Sequence, residues 1–320
     1  MSDTLLNATP HVTPQSLLSK RVRPQRSLWS NAFRQFRHHK LAMIGVVIFI
    51  AFTATVFIGP YIWPDEVNAP FEYDTGASPS VRHPMGTDSL GQDIFARILY
   101  GGRISISVGL VAAFVAITVG TLVGAAAGYF GGMTDSILMR ITDLFLSLPN
   151  LPLLLLITYL FKQSFMNKSE ELTGSRNFGV FALIVLVIGL LAWMPAARLV
   201  RAAFLSVKEK EFVEAAASVG ANTQMLIFKH ILPNVLSPII VAATLEVGGA
   251  IITESALSFL GLGFPSDVPT WGAMLLGANN YLQIYPHEAI FPGAMIFLTV
   301  LAINYVGDGL RDALDPRKTQ

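Results

Sequence analysis

The chain has 320 residues, of which 52% are apolar and 13% charged, with a mean hydropathy of +0.55; soluble domains carry about 25% charged residues, so the composition points to a membrane. A formal net charge of +1 offers no basic field for nucleic acid. The absence of cysteine excludes a disulfide framework, a thiolate metal site and a cysteine nucleophile together.

Residues 1–40 are polar and show no apolar core near Met1, so no cleaved signal peptide is expected. Their end, "RSLWSNAFRQFRHHK", sets Trp29, Phe33 and Phe36 at helical spacing among Arg26, Arg34, Arg37 and Lys40. Two readings stand side by side: a basic amphipathic helix on an anionic membrane face, or a solvated basic linker.

Six apolar segments follow that reach the roughly 20 residues a bilayer core requires. They lie near Leu41–Ile58, Ile104–Tyr129, Leu144–Phe161, Phe178–Met194, Val235–Leu262 and Ala289–Val306. The chain divides accordingly into a tail (1–40), a first span with an outer segment (41–103), a core of spans (104–306) that includes a loop at 195–234, and a second tail (307–320). In "MGTDSLGQD", Asp88 and Asp93 lack the alternating acidic ligands of a calcium loop and are expected to cap a helix or close a turn.

Along the second span Ala112, Ala116, Gly120, Gly124, Gly128 and Gly132 recur every fourth residue. Such a row lets another helix backbone approach closely, which is how helices associate in lipid. Pro149 and Pro152 predict a kink or break in the third span. Arg140 and Asp143 are spaced for a local ion pair at its start. No role is assigned to the loop at residues 162–177. Of the Lys and Arg residues, 16 fall on the flanks shared by both termini and the 195–234 loop, against 6 on the other side. The richer side is expected to be cytoplasmic.

Within that loop, "EFVEAAASVGANTQMLIFKHILPN" is polar and helix-forming between two apolar spans. Phe212, Ala215, Ala216 and Val219 share one helical face, with Glu211 and Glu214 elsewhere and Lys210 one turn from Glu214. Gly220 suits the left-handed position that ends a helix. Asn222 suits the cap of a second short helix through Met225 and Phe228, which Pro233 is expected to close. Residues alone leave two readings: a surface shaped to dock in a groove of another protein, or a polar connector.

"EAAASVG" followed by "HILPN" resembles the cytoplasmic loop motif of membrane subunits of ATP-binding-cassette importers. Glu214, Ala215, Ala216, Gly220, Leu232 and Pro233 match, while His230 departs from the isoleucine of the pattern. "HPMGTDSLGQDIFARILYGGRISISVG", "TDLFLSLPNLPLLLL", "ESALSFLGLGFPSDVPTWGAML" and "GDGLRDALDPR" are similar to the peptide and nickel branch of these permeases, from about residue 29 to 317. The resemblance implies an all-α membrane protein with six transmembrane helices of the type I importer permease fold, both termini cytoplasmic. Glu211 with the matched residues then forms a coupling helix received in a cleft of an ATPase subunit. It also implies the partners: a second, homologous permease, two ATPase subunits that hold ATP and Mg, and an extracytoplasmic binding protein. This chain would itself need no cofactor or metal, and would sit in a bacterial or archaeal cytoplasmic membrane. Cargo is expected to be di- or oligopeptides, with nickel as the alternative.

Glu246 and Glu254 lie on one row of the fifth span, where insertion of a charge costs about 2.5–3.5 kcal/mol. Either lines the translocation path and meets a peptide's amino terminus, or each is a structural carboxylate hydrogen-bonded between helices. No phosphate-cradling Gly-x-x-x-x-Gly-Lys motif exists in the chain. "HEAIF" has Phe291 where a zinc motif places its second His, and no Gly-x-Ser-x-Gly stretch supports a hydrolase. A self-sufficient secondary transporter would favour an internal repeat, which the two halves do not show.

Overall fold

The structure is a computed structural model that describes residues 28–63, 67–265 and 267–314. Arg26, the side chain of Trp29, and the end of the last motif at 315–317 lie outside the described residues. The helices in chain order are α1 (Leu28–His38), α2 (Lys40–Ile62), α3 (Ile94–Phe130), α4 (Gly132–Ser147), α5 (Asn150–Thr173), α6 (Arg176–Lys208), α7 (Glu211–Ser218), α8 (Leu232–Phe259), α9 (Trp271–Ala278) and α10 (His287–Leu314). Among the described residues five helices are long and apolar enough to cross a membrane. Counting the bent pair α4–α5 as one span brings the total to six.

That pair is where the prolines predicted a kink, and the chain turns there by 87°. Ser147 ends α4, Pro149 precedes α5, and neither Pro149 nor Pro152 has an N–H to continue the helical ladder. Elsewhere the helices outrun their apolar windows. α3 starts at Ile94 instead of Ile104, because Asp93 accepts the Ala96 N–H at 2.7 Å and caps it ten residues earlier. α5 continues to Thr173, so most of the expected outer loop at 162–177 is helix, and the turn is confined to Gly174, at φ +71°, and Ser175. α6 carries Pro195 inside it and runs past Met194 to Lys208. α10 continues to Leu314, through the first part of the expected tail.

The small-residue row of α3 faces α6 of the same chain. Ala112 and Ala116 are fully buried. Gly120 abuts Trp193, Ala196 and Ala197, Gly124 abuts Ala197 and Val200, and Gly128 abuts Arg201 and Phe204, each with no room for a Cβ. Gly132 does not belong to this row. Gly131, at φ +67°, ends α3, so Gly132 begins α4 with nothing close to its α-carbon substituent position. Val180, Leu183, Ile184 and Val187 of α6 continue the buried contact toward the other end.

The far end from α7 is closed by α9 and the segment 67–93. Trp271 is fully buried and donates its indole N–H to the Ile98 carbonyl at 3.2 Å. Asp88 accepts the Leu90 and Gln92 N–H groups at 2.9 and 2.8 Å, so the two aspartates act as a turn and a cap. His83 Nδ1 lies 2.7 Å from Asp93, and His287 Nε2 lies 3.0 Å from the Thr87 carbonyl, which pins the segment to α3 and α10. At the opposite end α1 packs on α10, with Gln35 donating to the Asp312 carbonyl at 2.9 Å and Phe36 beside Gly309.

Gly124→Leu is expected to cost about 1–3 kcal/mol through overpacking, read as a lower melting temperature of the purified protein. Gly249→Ala, where a Cβ meets nothing within 4 Å, should melt at or above the wild-type temperature. Equal melting of both variants would contradict the close-packed α3–α6 seam.

Candidate functional site

The loop motif occupies one end of the bundle as two short helices. Glu211 and Glu214 sit in the first turn of α7, where carboxylates favour the helix dipole, and three alanines supply strong helix propensity. The helix ends on Gly220 at φ +90°. The Gly220 N–H donates to Ala217 O at 3.0 Å and the Ala221 N–H to Ala216 O at 3.1 Å, which satisfies the last carbonyls. Asn222 then accepts the Met225 N–H at 2.8 Å and caps the next turn.

That second helix is not closed by Pro233. A wide π turn over Leu226–Ile231 leads straight into α8, with Pro233 in the first turn of α8. The Leu232 N–H reaches back five residues to Ile227 O, so the ladder widens just before the residue that has no N–H to give.

The faces of α7 divide differently from the sequence pattern. Phe212, Ala215 and Val219 turn outward, Val219 with 86% of its surface exposed, and Ala216 is half-buried. The inward residue is Val213, 4% exposed, which the apolar periodicity did not single out. It packs with Leu226, Ile231 and Val235 on Val200 and Phe204 of α6, and Leu232 joins the edge of this cluster. Met225 and Phe228 join the outward set at 43% and 63% exposure. Glu211, Glu214 and Pro233 are exposed. Among the described residues Lys210 and Glu214 form no ion pair; the Glu214 N–H donates to the Lys210 carbonyl at 3.3 Å.

Beneath this loop, long-range polar contacts tie α6 to its neighbours. Lys208 donates to the Tyr129 carbonyl at 2.5 Å and lies over the Tyr129 ring. Arg201 grips Asp135 of α4 through two hydrogen bonds. Asp143 pairs with Arg198 at 2.5 Å instead of the expected Arg140, since α6 brings a guanidinium directly to it.

The two carboxylates of α8 meet different fates. Glu254 is fully buried and accepts hydroxyl hydrogen bonds from Ser258 at 2.8 Å and Ser105 at 3.0 Å, the arrangement of a structural carboxylate bonded between helices. Ser105 in turn accepts the Trp271 N–H at 3.4 Å, so Glu254 joins α8, α3 and α9. Glu246 is half-exposed and lines a cavity of about 230 Å³ with Leu148 and Asn150 at the α4–α5 break and Pro195 of α6. The sequence pointed to the break and to the carboxylate separately; only the fold brings them to one cavity.

Residues 117–320 match the family described as "Binding-protein-dependent transport system inner membrane component", and residues 27–79 match "N-terminal TM domain of oligopeptide transport permease C". The chain is 39% identical over 300 residues to the oligopeptide transport system permease protein OppC of Haemophilus influenzae, covering 91% of this chain and 89% of that one. It is also 39% identical over 293 residues to the glutathione transport system permease protein GsiD of Pectobacterium atrosepticum, covering 91% and 92%. Among solved structures, a chain of the MetNI methionine ABC transporter in an inward-facing conformation superposes with a TM-score of 0.51 at 18% identity, covering 67% of this chain and 94% of that one.

Burying an unpaired carboxylate in place of Val213 should cost more than the about 1–3 kcal/mol of a neutral unsatisfied group, enough to raise local opening of the loop by about tenfold or more. For Val213→Asp the expected result is faster tryptic cleavage at Lys210 and Lys229, with the spanning helices intact by circular dichroism. Cleavage at the wild-type rate would show that Val213 does not seat α7.

Proposed function

The chain belongs to the family of binding-protein-dependent transport system inner membrane components, and on that premise we propose that it forms half of the translocation pore of an ATP-driven importer of di- or oligopeptides. The observation that carries the reading is α7. It is a short helix seated from beneath by Val213, with Phe212, Val219, Met225 and Phe228 turned outward at the end of the spans. A projecting apolar tip flanked by Glu211 and Glu214 fits a groove in a partner protein. In this reading Glu214, Ala215, Ala216 and Gly220 shape the helix that an ATPase subunit receives, while Leu232 and Pro233 set its link to α8.

A second, homologous permease completes the pore, two ATPase subunits hold ATP and Mg, and an external binding protein delivers cargo. The excess of Lys and Arg on the flanks shared with the α7 loop supports a cytoplasmic position for that loop and both termini, in a bacterial or archaeal cell. Peptide cargo is favoured over nickel by the relatives: oligopeptides for one, and for the other glutathione, itself a tripeptide. ATP binding draws the two α7 helices together and swings the spans between inward-open and outward-open states.

The test is a mild-detergent purification of the tagged chain with identification of its companions. The wild type should bring a second permease and ATPase subunits. Glu214→Arg should keep the permease and lose most of the ATPase. A mutant that retains both in wild-type proportion would reduce α7 to a connector.

A further inference from the structure

Glu246 sits midway along α8, the helix that runs from Leu232 to Phe259. A carboxylate at that depth costs about 2.5–3.5 kcal/mol on insertion scales, so it is retained where something answers its charge. Glu254, eight residues on, is answered within the chain by Ser105 and Ser258. Glu246 is not: among the described residues it has no hydrogen bond and no ion pair, and no Lys, Arg or His lines its cavity.

The cavity's shape narrows the class of ligand. One wall is the α4–α5 break, where Pro152 has no N–H to offer the Leu148 carbonyl and Asn150 adds a side-chain amide. The remaining walls are apolar, from Phe145, Leu191 and Pro195 among others. A calcium ion takes about six to eight oxygen ligands, more than the Glu246 carboxylate, the Asn150 amide and the carbonyls at the break bring to this cavity. An ammonium group attached to an apolar body fits better: it has three donors for the carboxylate and neighbouring acceptors, and a side chain for the apolar walls.

We propose that the cavity between Glu246 and the α4–α5 break is a transit subsite for the amino terminus of a peptide. Glu246 receives the ammonium and the apolar wall receives the first side chain. The inference rests on the importer reading and adds a recognition point inside the membrane, separate from the α7 docking surface. The site lies at the sharp bend between α4 and α5, so a change in that bend alters the acceptors that an ammonium meets.

The experiment uses the complete assembly, with wild-type and Glu246→Gln forms of this chain. The chain has no cysteine, so Leu148→Cys adds a single reporter thiol at the cavity wall. The probes are alanyl-leucyl-alanine with a free amino terminus and its N-acetylated form, each at millimolar concentration, and cationic and anionic methanethiosulfonate reagents. Expected results are protection of Cys-substituted position 148 by the free peptide alone, loss of that protection in Glu246→Gln, and a several-fold fall in the cationic-to-anionic labelling ratio. ATP-driven uptake of the free peptide should drop by about tenfold or more, as for the loss of a charged contact, with co-purification of the ATPase subunits unchanged. Equal protection by both peptides, protection by neither, or protection that survives Glu246→Gln overturns the inference while leaving the importer reading intact. Separation of the two permeases by Glu246→Gln also overturns it, because the carboxylate would then serve their interface. Failure of wild type to bring ATPase subunits instead removes the importer reading, and this inference with it.

Discussion

Contact between α3 and α6 through residues with little or no side chain is the constraint on which the rest of the structure depends. In lipid there is no hydrophobic gain in bringing two helices together, so close packing of backbone and small side chains must supply the association. Ala112, Ala116, Gly120, Gly124 and Gly128 make that approach possible along about four turns, and α6 answers with Ala196, Ala197, Val200 and Phe204. The seam then continues past the apolar region. Lys208 on the Tyr129 carbonyl and Arg201 on Asp135 hold the projecting end of α6 to α3 and α4. α7 follows α6 after two residues and is seated on it by Val213. On the proposed reading, a push on α7 would reach the spans as a tilt of the α3–α6 pair, since only two residues separate α7 from α6.

The α4–α5 pair is built on the opposite principle. Two prolines remove donors at Pro149 and Pro152, the helix breaks, and the chain leaves at 87°. The same helix α8 passes both regions, which explains how two glutamates on one row come to differ. Glu254 faces Ser105 on the rigid side and is fully paired, whereas Glu246 faces the break and the cavity it leaves. Rigidity and openness are thus apportioned by which neighbour each stretch of α8 meets.

Much of this was legible in the residues. Hydropathy located the five spanning helices, while the third expected segment, Leu144–Phe161, straddles the α4–α5 break; the fourth-residue row marked the α3 seam up to Gly128, and Gly220 and Asn222 marked the turn of the loop through local chemistry. What escaped has a common cause. Helices that extend beyond the bilayer lose their apolar signal while keeping their hydrogen bonds, so α6 to Lys208 and α5 to Thr173 looked like loops. Pairing across long separations was equally hidden: Arg198 outcompetes the nearby Arg140 for Asp143 only because folding brings α6 alongside. In α7 apolar residues occupy two faces, and a periodicity of 3.6 could not show that Val213 was the one facing inward. Pro233 read as a stop because a π turn that accommodates it leaves no compositional trace.

The claim that α7 and the α3–α6 seam move as one body is open to a direct distance measurement. Spin labels at Val219→Cys and Phe114→Cys, at positions 86% and 72% exposed, report the span from the loop tip to α3 in a chain with no other cysteine. In the complete assembly, electron-electron double resonance with and without ATP should give the same intrachain distance distribution within its width, while distances between the two permeases change. An intrachain shift of about one helical turn, ~5 Å, would show that the loop moves independently of the seam and contradict this account.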